Sequence, residues 1–349
     1  MRRFSVCVSA GLLLCAGMLF AQGGGTPAKA RATAPEIPFE IVPNYFKLPD
    51  GLYMGEAVGV ATNSKGHVFV YTRSGETRLF EFDQAGKFVK ELAQGTYGVS
   101  FAHAVRVDKY DNVWAVDEGS NVIMKFNPDG KLLMVLGKRP DPLEQLAIIP
   151  GGGQYSGANK PYSFHRQTDV AWDPQDNIFV ADGYGDSRVV KYDKTGRFVK
   201  SVGTRGNGTL QFSTPHAIAV DAKGLVYVAD RGNSRIIVLD NDLNQKAVYD
   251  NVGAPWAVCI SEGPHQYLYS SNSFPTGNNF DLAATTGEIY KMELDGTVLG
   301  RFGKAGHGPK EFSSVHQMDC RNPNELFLAE ITEWRATKVV LRPQSRTNN

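Results

Sequence analysis

Val170-Ala-Trp-Asp173 is followed by Asn177-Ile-Phe-Val-Ala-Asp182, Arg188-Val-Val-Lys-Tyr192, Lys194-Thr-Gly196 and Arg197-Phe-Val-Lys-Ser-Val202. Four short β-branched and aromatic runs, separated by Gly, Asp and Asn turns, read as a four-stranded meander. The same series lies upstream, as Val105-Arg-Val-Asp108, Asn112-Val-Trp-Ala-Val-Asp117, Val122-Ile-Met-Lys-Phe126 and Lys131-Leu-Leu-Met-Val-Leu136. It returns downstream as Ile218-Ala-Val-Asp221, Leu225-Val-Tyr-Val-Ala-Asp230 and Arg235-Ile-Ile-Val-Leu-Asp240. Six such units start near Glu56, Phe101, Phe164, Phe212, Ala254 and Phe312. About 48 residues per unit suits a propeller blade and is too short for a β-sandwich domain in each. The expected fold is therefore all-β, a six-bladed β-propeller. Its sixth unit lacks a clear outer strand. The strand-like segment Phe39 to Leu48 is expected to supply it, closing the ring and removing an exposed sheet edge.

The composition agrees with a globular chain: of 349 residues, 42% are hydrophobic and 21% charged. Lys plus Arg number 37 and Asp plus Glu 36, a net charge of +1 that gives no reason to expect nucleic acid or an anionic membrane surface as partner. Arg2 and Arg3 precede an apolar run from Phe4 to Phe20, with Ala21-Gln22 after it. That order reads as a secretory signal over residues 1–21. A membrane anchor is the competing reading, but Ser5, Ser9, Gly11 and Gly17 interrupt the run. Residues 22–38, rich in Gly, Ala and Pro, read as a flexible linker, residues 39–342 as the propeller and 343–349 as a tail. The expected product is a secreted or periplasmic monomer without a membrane span. Two cysteines remain after signal removal, Cys259 and Cys320, and both read as buried thiols in apolar strands.

A meander reverses at every turn. The residues leading into each innermost strand therefore share one face of the disc with the turns from second to third strand. His103 in the second blade, His216 in the fourth and His316 in the sixth fall on one register at that lead-in; Val58, Thr168 and Trp256 hold it in the alternate blades. Three imidazoles spaced evenly round an axis suit Zn²⁺ with a fourth position open. Taken singly, each would read as a strand cap or an inter-blade hydrogen bond. His67, His165, His265 and His307 fall elsewhere and read as solvated or loop-packing. The turns on the same face carry Arg73, Tyr184 and Arg231. An arginine offers a bidentate fork to a carboxylate; the alternative for either is a salt bridge to Asp182 or Asp230. The loops 138–163 and 272–287 are longer than the others; the first joins two blades on the site face and offers a wall or lid, and its Gly151-Gly-Gly153 lacks the context of a phosphate motif.

Phe101-Ala-His-Ala-Val-Arg-Val-Asp108, Thr168-Asp-Val-Ala-Trp-Asp173 through Arg188, and Phe212-Ser-Thr-Pro-His216 through Arg235 resemble the lyase domain of peptidylglycine α-amidating enzymes, an NHL-repeat propeller. The resemblance covers about residues 50–341. It implies a zinc-dependent lyase that splits a peptidyl-α-hydroxyglycine into a peptide amide and glyoxylate. By the resemblance, His103, His216 and His316 hold the zinc, Tyr184 is the catalytic tyrosine, and Arg73 and Arg231 bind substrate. It also implies a calcium site through the backbone carbonyls of Val60 and Val105, but Gln317 stands where the family has an Asp. The family's disulfides near the tyrosine and arginine loops have no counterpart, and the chain carries no copper hydroxylase domain. The implied partner is a small peptide-like or other carbinolamide substrate. Two other readings stand beside this one. One is a non-catalytic NHL propeller that binds a peptide, glycan or protein on the same face. The other is a gluconolactonase-like hydrolase, which the three-histidine rim disfavours because that class holds its metal with carboxylates and Asn.

Overall fold

The computed structural model describes residues 32–96, 99–139, 160–273 and 286–342. The expected signal 1–21, the first part of the linker, the tail 343–349, Gly151-Gly-Gly153 and most of the two longer loops lie outside them.

Six four-stranded antiparallel sheets follow one another along the chain. Their innermost strands are Ala57–Thr62, Ala102–Val107, Asp169–Trp172, Pro215–Val220, Ala254–Ile260 and Val315–Asn322. In the first five blades each sheet is a sequential meander from that strand outward. The sixth is completed by Phe39–Val42, which pairs with the last strand Arg335–Leu341, Phe39 opposite Leu341 and Val42 opposite Lys338. The ring closes as the repeats require.

Second strands are apolar on both faces because each blade is sandwiched between two others. Val113–Asp117, Ile178–Asp182 and Val226–Asp230 are buried throughout. Outer strands are more exposed, and Gln245–Tyr249 alternates in burial, because one face meets water. In blades two, three and four the aspartate that ends the second strand organises the loop leading into the innermost strand. Asp117 accepts the Ser100 and Phe101 N–H groups, Asp182 that of His165, and Asp230 that of Ser213. Asp182 and Asp230 are each held by an arginine of the third strand, Arg188 at 3.0 Å and Arg235 at 2.8 Å.

Along the axis, the Arg106 guanidinium makes a two-pronged pair with Asp169 of the third blade and donates to the carbonyls of Met318 and Val258. One side chain thus ties four blades together and crosses the central channel.

Two sequence expectations change. Cys259 and Cys320 are not separate thiols: they form a disulfide between the innermost strands of blades five and six. Residues 32–38, read as linker, run as an ordered strap over the rim. Ala32 N–H donates to Asn251 O, Ile37 pairs with Arg301, and Arg301 N–H donates to Pro35 O. The physical reason is the exposed edge of the outer strand Val298–Phe302, whose backbone groups need partners, together with Ile37, which packs on the apolar cluster beneath. Among the described residues no helix is long and apolar enough to cross a membrane.

Candidate metal centre

Each of the three histidines sits at an irregularity of its innermost strand. The pairing register shifts between Ala102 and Ala104, between Pro215 and Ala217, and between Val315 and Gln317. The residue skipped each time is the histidine. A bulge leaves one residue outside the ladder and re-aims its side chain, and here three bulges turn three imidazoles to the axis. Their ring centroids are 4.5–4.8 Å apart, and the ligating atoms they offer lie within 4.8 Å of one another. All three are buried.

The neighbouring blades fix which nitrogen faces inward. His103 Nδ1 is 2.6 Å from Thr168 O, His216 Nδ1 2.8 Å from Trp256 O, and His316 Nδ1 2.7 Å from Val58 O. A carbonyl only accepts, so Nδ1 carries the proton and each Nε2 presents a lone pair to the axis. The three carbonyls belong to the residues that share the histidines' register in the alternate blades. His316 Nε2 is buried with no hydrogen-bond partner among the described residues, a costly state for a polar atom unless something binds it. Three oriented imidazoles with an orphaned lone pair fit a zinc ion with one position open.

Burial keeps these rings neutral. It drives His103 and His216 well below the usual imidazole range, with the positive arginines and neighbouring rings adding to the push, and takes His316 down to about 3. A depressed imidazole pKa means that the neutral, metal-binding form persists as pH falls. Zinc affinity is therefore expected to change by less than about tenfold between about pH 7.5 and 5.5, where three ordinary histidines would cost roughly a thousandfold through proton competition. Chelator competition across that range checks this; a fall near the thousandfold value would mean that the rings titrate normally.

Tyr184 stands over the centre, its hydroxyl 3.2 Å from both His103 Nε2 and His216 Nε2. Gly183 lets this turn approach, since a Cβ there would meet Pro215 O at 2.1 Å. Burial raises the Tyr184 phenol, outweighing the lowering by Arg231, Arg73 and Arg166. The arginines alone do not make it acidic.

Arg231 lies over the rings of Tyr184 and Trp256, at 5.6 and 4.9 Å, and its Nε is buried without a partner. Arg73 stacks on Phe101 at 4.3 Å and pairs with Glu56 at 3.1 Å. The acids weighed as alternatives, Asp182 and Asp230, are engaged by Arg188 and Arg235 instead. His67, His265 and His307 pair with Glu81, Glu293 and Glu333, away from the centre, and His165 lies beside Asp186.

Two residues missed by the sequence reading complete the face. Glu118, 3% exposed on its side chain, and Arg166 form an ion pair at 2.8 Å, and Arg166 stacks on Tyr184 at 4.8 Å. Glu118 directly follows the second strand of its blade, as Arg73 and Arg231 do in theirs, and that shared register was the available signal.

A family model for the NHL repeat matches residues 212–239. A probable peptidyl-α-hydroxyglycine α-amidating lyase of Caenorhabditis elegans is 27% identical over 317 residues, covering 82% of this chain and 83% of that protein. The chain is similar in sequence to amidating lyases. It is also 27% identical to NHL repeat-containing protein 3 of Homo sapiens over 77% of each. A crystal structure of virginiamycin B lyase from Staphylococcus aureus superposes with a TM-score of 0.55 at 11% identity, covering 87% of this chain and all of that one, which shows the shared propeller fold.

The calcium position that the resemblance implies is built differently here. The Gln317 side-chain oxygen accepts the N–H groups of Val60 at 2.9 Å and Val105 at 3.1 Å. An uncharged amide there ties three blades together and offers a hard cation no carboxylate, so these residues do not fit calcium.

Proposed function

We propose that the chain is a secreted zinc-dependent lyase that cleaves the C–N bond of a carbinolamide, with peptidyl-α-hydroxyglycine as substrate and a peptide amide and glyoxylate as products. The observation that carries this reading is the convergence of three inward Nε2 atoms under one tyrosine hydroxyl, in a chain similar in sequence to amidating lyases. His103, His216 and His316 would hold the zinc, which supplies Lewis acidity toward the substrate's hydroxyl oxygen.

The reaction moves a proton from that hydroxyl to the departing nitrogen. As the C–N bond breaks, its electron pair goes to nitrogen and the carbinol carbon becomes the aldehyde of glyoxylate. Tyr184 is the group positioned to accept the hydroxyl proton. Because burial keeps it a neutral phenol in the metal-free chain, accepting that proton depends on a cation beside it. Arg231, with an unused Nε above Tyr184 and Trp256, suits the carboxylate that leaves as glyoxylate. Arg73, turned partly to Glu56, adds positive field. The Cys259–Cys320 disulfide supports export to an oxidising compartment.

Replacing Arg231 by Ala is expected to raise KM for an acidic substrate by roughly 10- to 100-fold, the worth of a charge-assisted hydrogen bond. An equal effect on a substrate amide lacking the carboxylate would contradict the clamp.

The direct test is glyoxylate release from a short peptidyl α-hydroxyglycine, with and without chelator. Chelator-sensitive release supports the lyase. No release from zinc-loaded, folded protein would favour the second reading, a propeller that binds a peptide, glycan or protein on the same face.

A further inference from the structure

Glu118 does something at the centre that its ion pair with Arg166 does not explain. One carboxylate oxygen takes Arg166 at 2.8 Å. The other, Oε2, is buried without a hydrogen-bond partner among the described residues and lies 3.7 Å from His103 Nε2. That distance is too long for a hydrogen bond. His103 already donates from Nδ1 to Thr168, so its Nε2 is a lone pair as well, with the Tyr184 hydroxyl, shared with His216 Nε2, 3.2 Å away. Two acceptors facing each other in a buried site repel, unless a positive species or a shared donor sits between them. The three imidazoles themselves carry no charge, so a dication held by them alone would bring two uncompensated charges into the channel mouth.

We propose that Glu118 belongs to the metal centre, its free oxygen turned to the same ion as His103 Nε2 and giving a neutral three-histidine site one negative charge. Arg166 holds the opposite oxygen and thereby sets which oxygen faces inward. This inference rests on the metal part of the proposed function, not on the lyase chemistry.

The test uses the full mature chain and metal alone. Zinc affinity is measured by chelator competition, and the visible spectrum is recorded after cobalt replaces zinc. Glu118→Gln keeps the size of the side chain and an acceptor for Arg166 but removes the charge. It is expected to lower zinc affinity by roughly 10- to 100-fold and to shift the cobalt bands. Arg166→Gln, which leaves Glu118 charged, is expected to keep or tighten zinc binding. Unchanged affinity and spectrum in Glu118→Gln, with a zinc-binding parent chain, overturns the inference and leaves the lyase reading standing. Equal weakening by both variants also overturns it, making the pair purely structural. A parent chain that binds no zinc overturns the metal reading itself.

Discussion

Replacing His216 by Ala is expected to take the chain from about one zinc per molecule to none and to abolish turnover. The ring is buried, its Nδ1 is anchored on Trp256 O, and its face lies against the Trp256 ring at 5.3 Å. Two imidazoles from blades two and six would remain, without the third direction that makes a tetrahedral set. Loss of an outer group that only orients a ligand typically costs 10- to 100-fold in metal affinity, so loss of a ligand itself should exceed roughly 100-fold. A destabilisation of about 1–3 kcal/mol is expected from the vacated space, too little to unfold a ring whose core lies between blades. Metal content by atomic emission, alongside a thermal melt, reads both quantities. A variant that melts normally and still carries a full zinc would place the centre elsewhere.

The second large effect is expected from Tyr184→Phe. The ring stays, and with it the packing on His103 and the stacking of Arg231 and Arg166. Only the hydroxyl between His103 and His216 is lost. Metal content should be unchanged while turnover falls by roughly 10²- to 10⁴-fold, the range for a positioned proton-transfer group. Turnover at the parent rate would remove Tyr184 from the reaction, and loss of zinc together with turnover would mean that the hydroxyl helps to hold the metal.

The fold was legible because a blade repeats its punctuation. Asp at the end of the second strand and Gly in the outer turn recur at near-constant spacing, and a repeat needs no long-range information to be seen. The histidine triad was legible for the same reason: a fixed register in alternate blades becomes threefold spacing once a ring is assumed. The bulges that aim the rings were not legible, yet they were harmless, since all three blades bend alike. The Cys259–Cys320 bond was hidden by the same irregularity. Register shifts near Trp256 and beyond Asp319 break the alternation that would show both sulfurs on facing positions. Glu118 was passed over because an acid after Asp117 looks like ordinary turn chemistry. Its burial, and the orphaned oxygen beside His103, exist only in three dimensions. The ordered strap at residues 32–38 was missed because Gly, Ala and Pro are judged by local flexibility, whereas an exposed strand edge decides their fate.

The pairing of Phe39–Val42 with Arg335–Leu341 bears on how the molecule is made. Phe39–Val42, the first strand among the described residues, must wait during synthesis for nearly the last one before it has a partner. His316 comes from that same late blade, so the third imidazole and the closing of the circle arrive together. A polypeptide interrupted before the sixth blade would have neither, and could not form the three-pronged grip. The proposed metal would therefore be gripped only after the sixth blade has joined the ring.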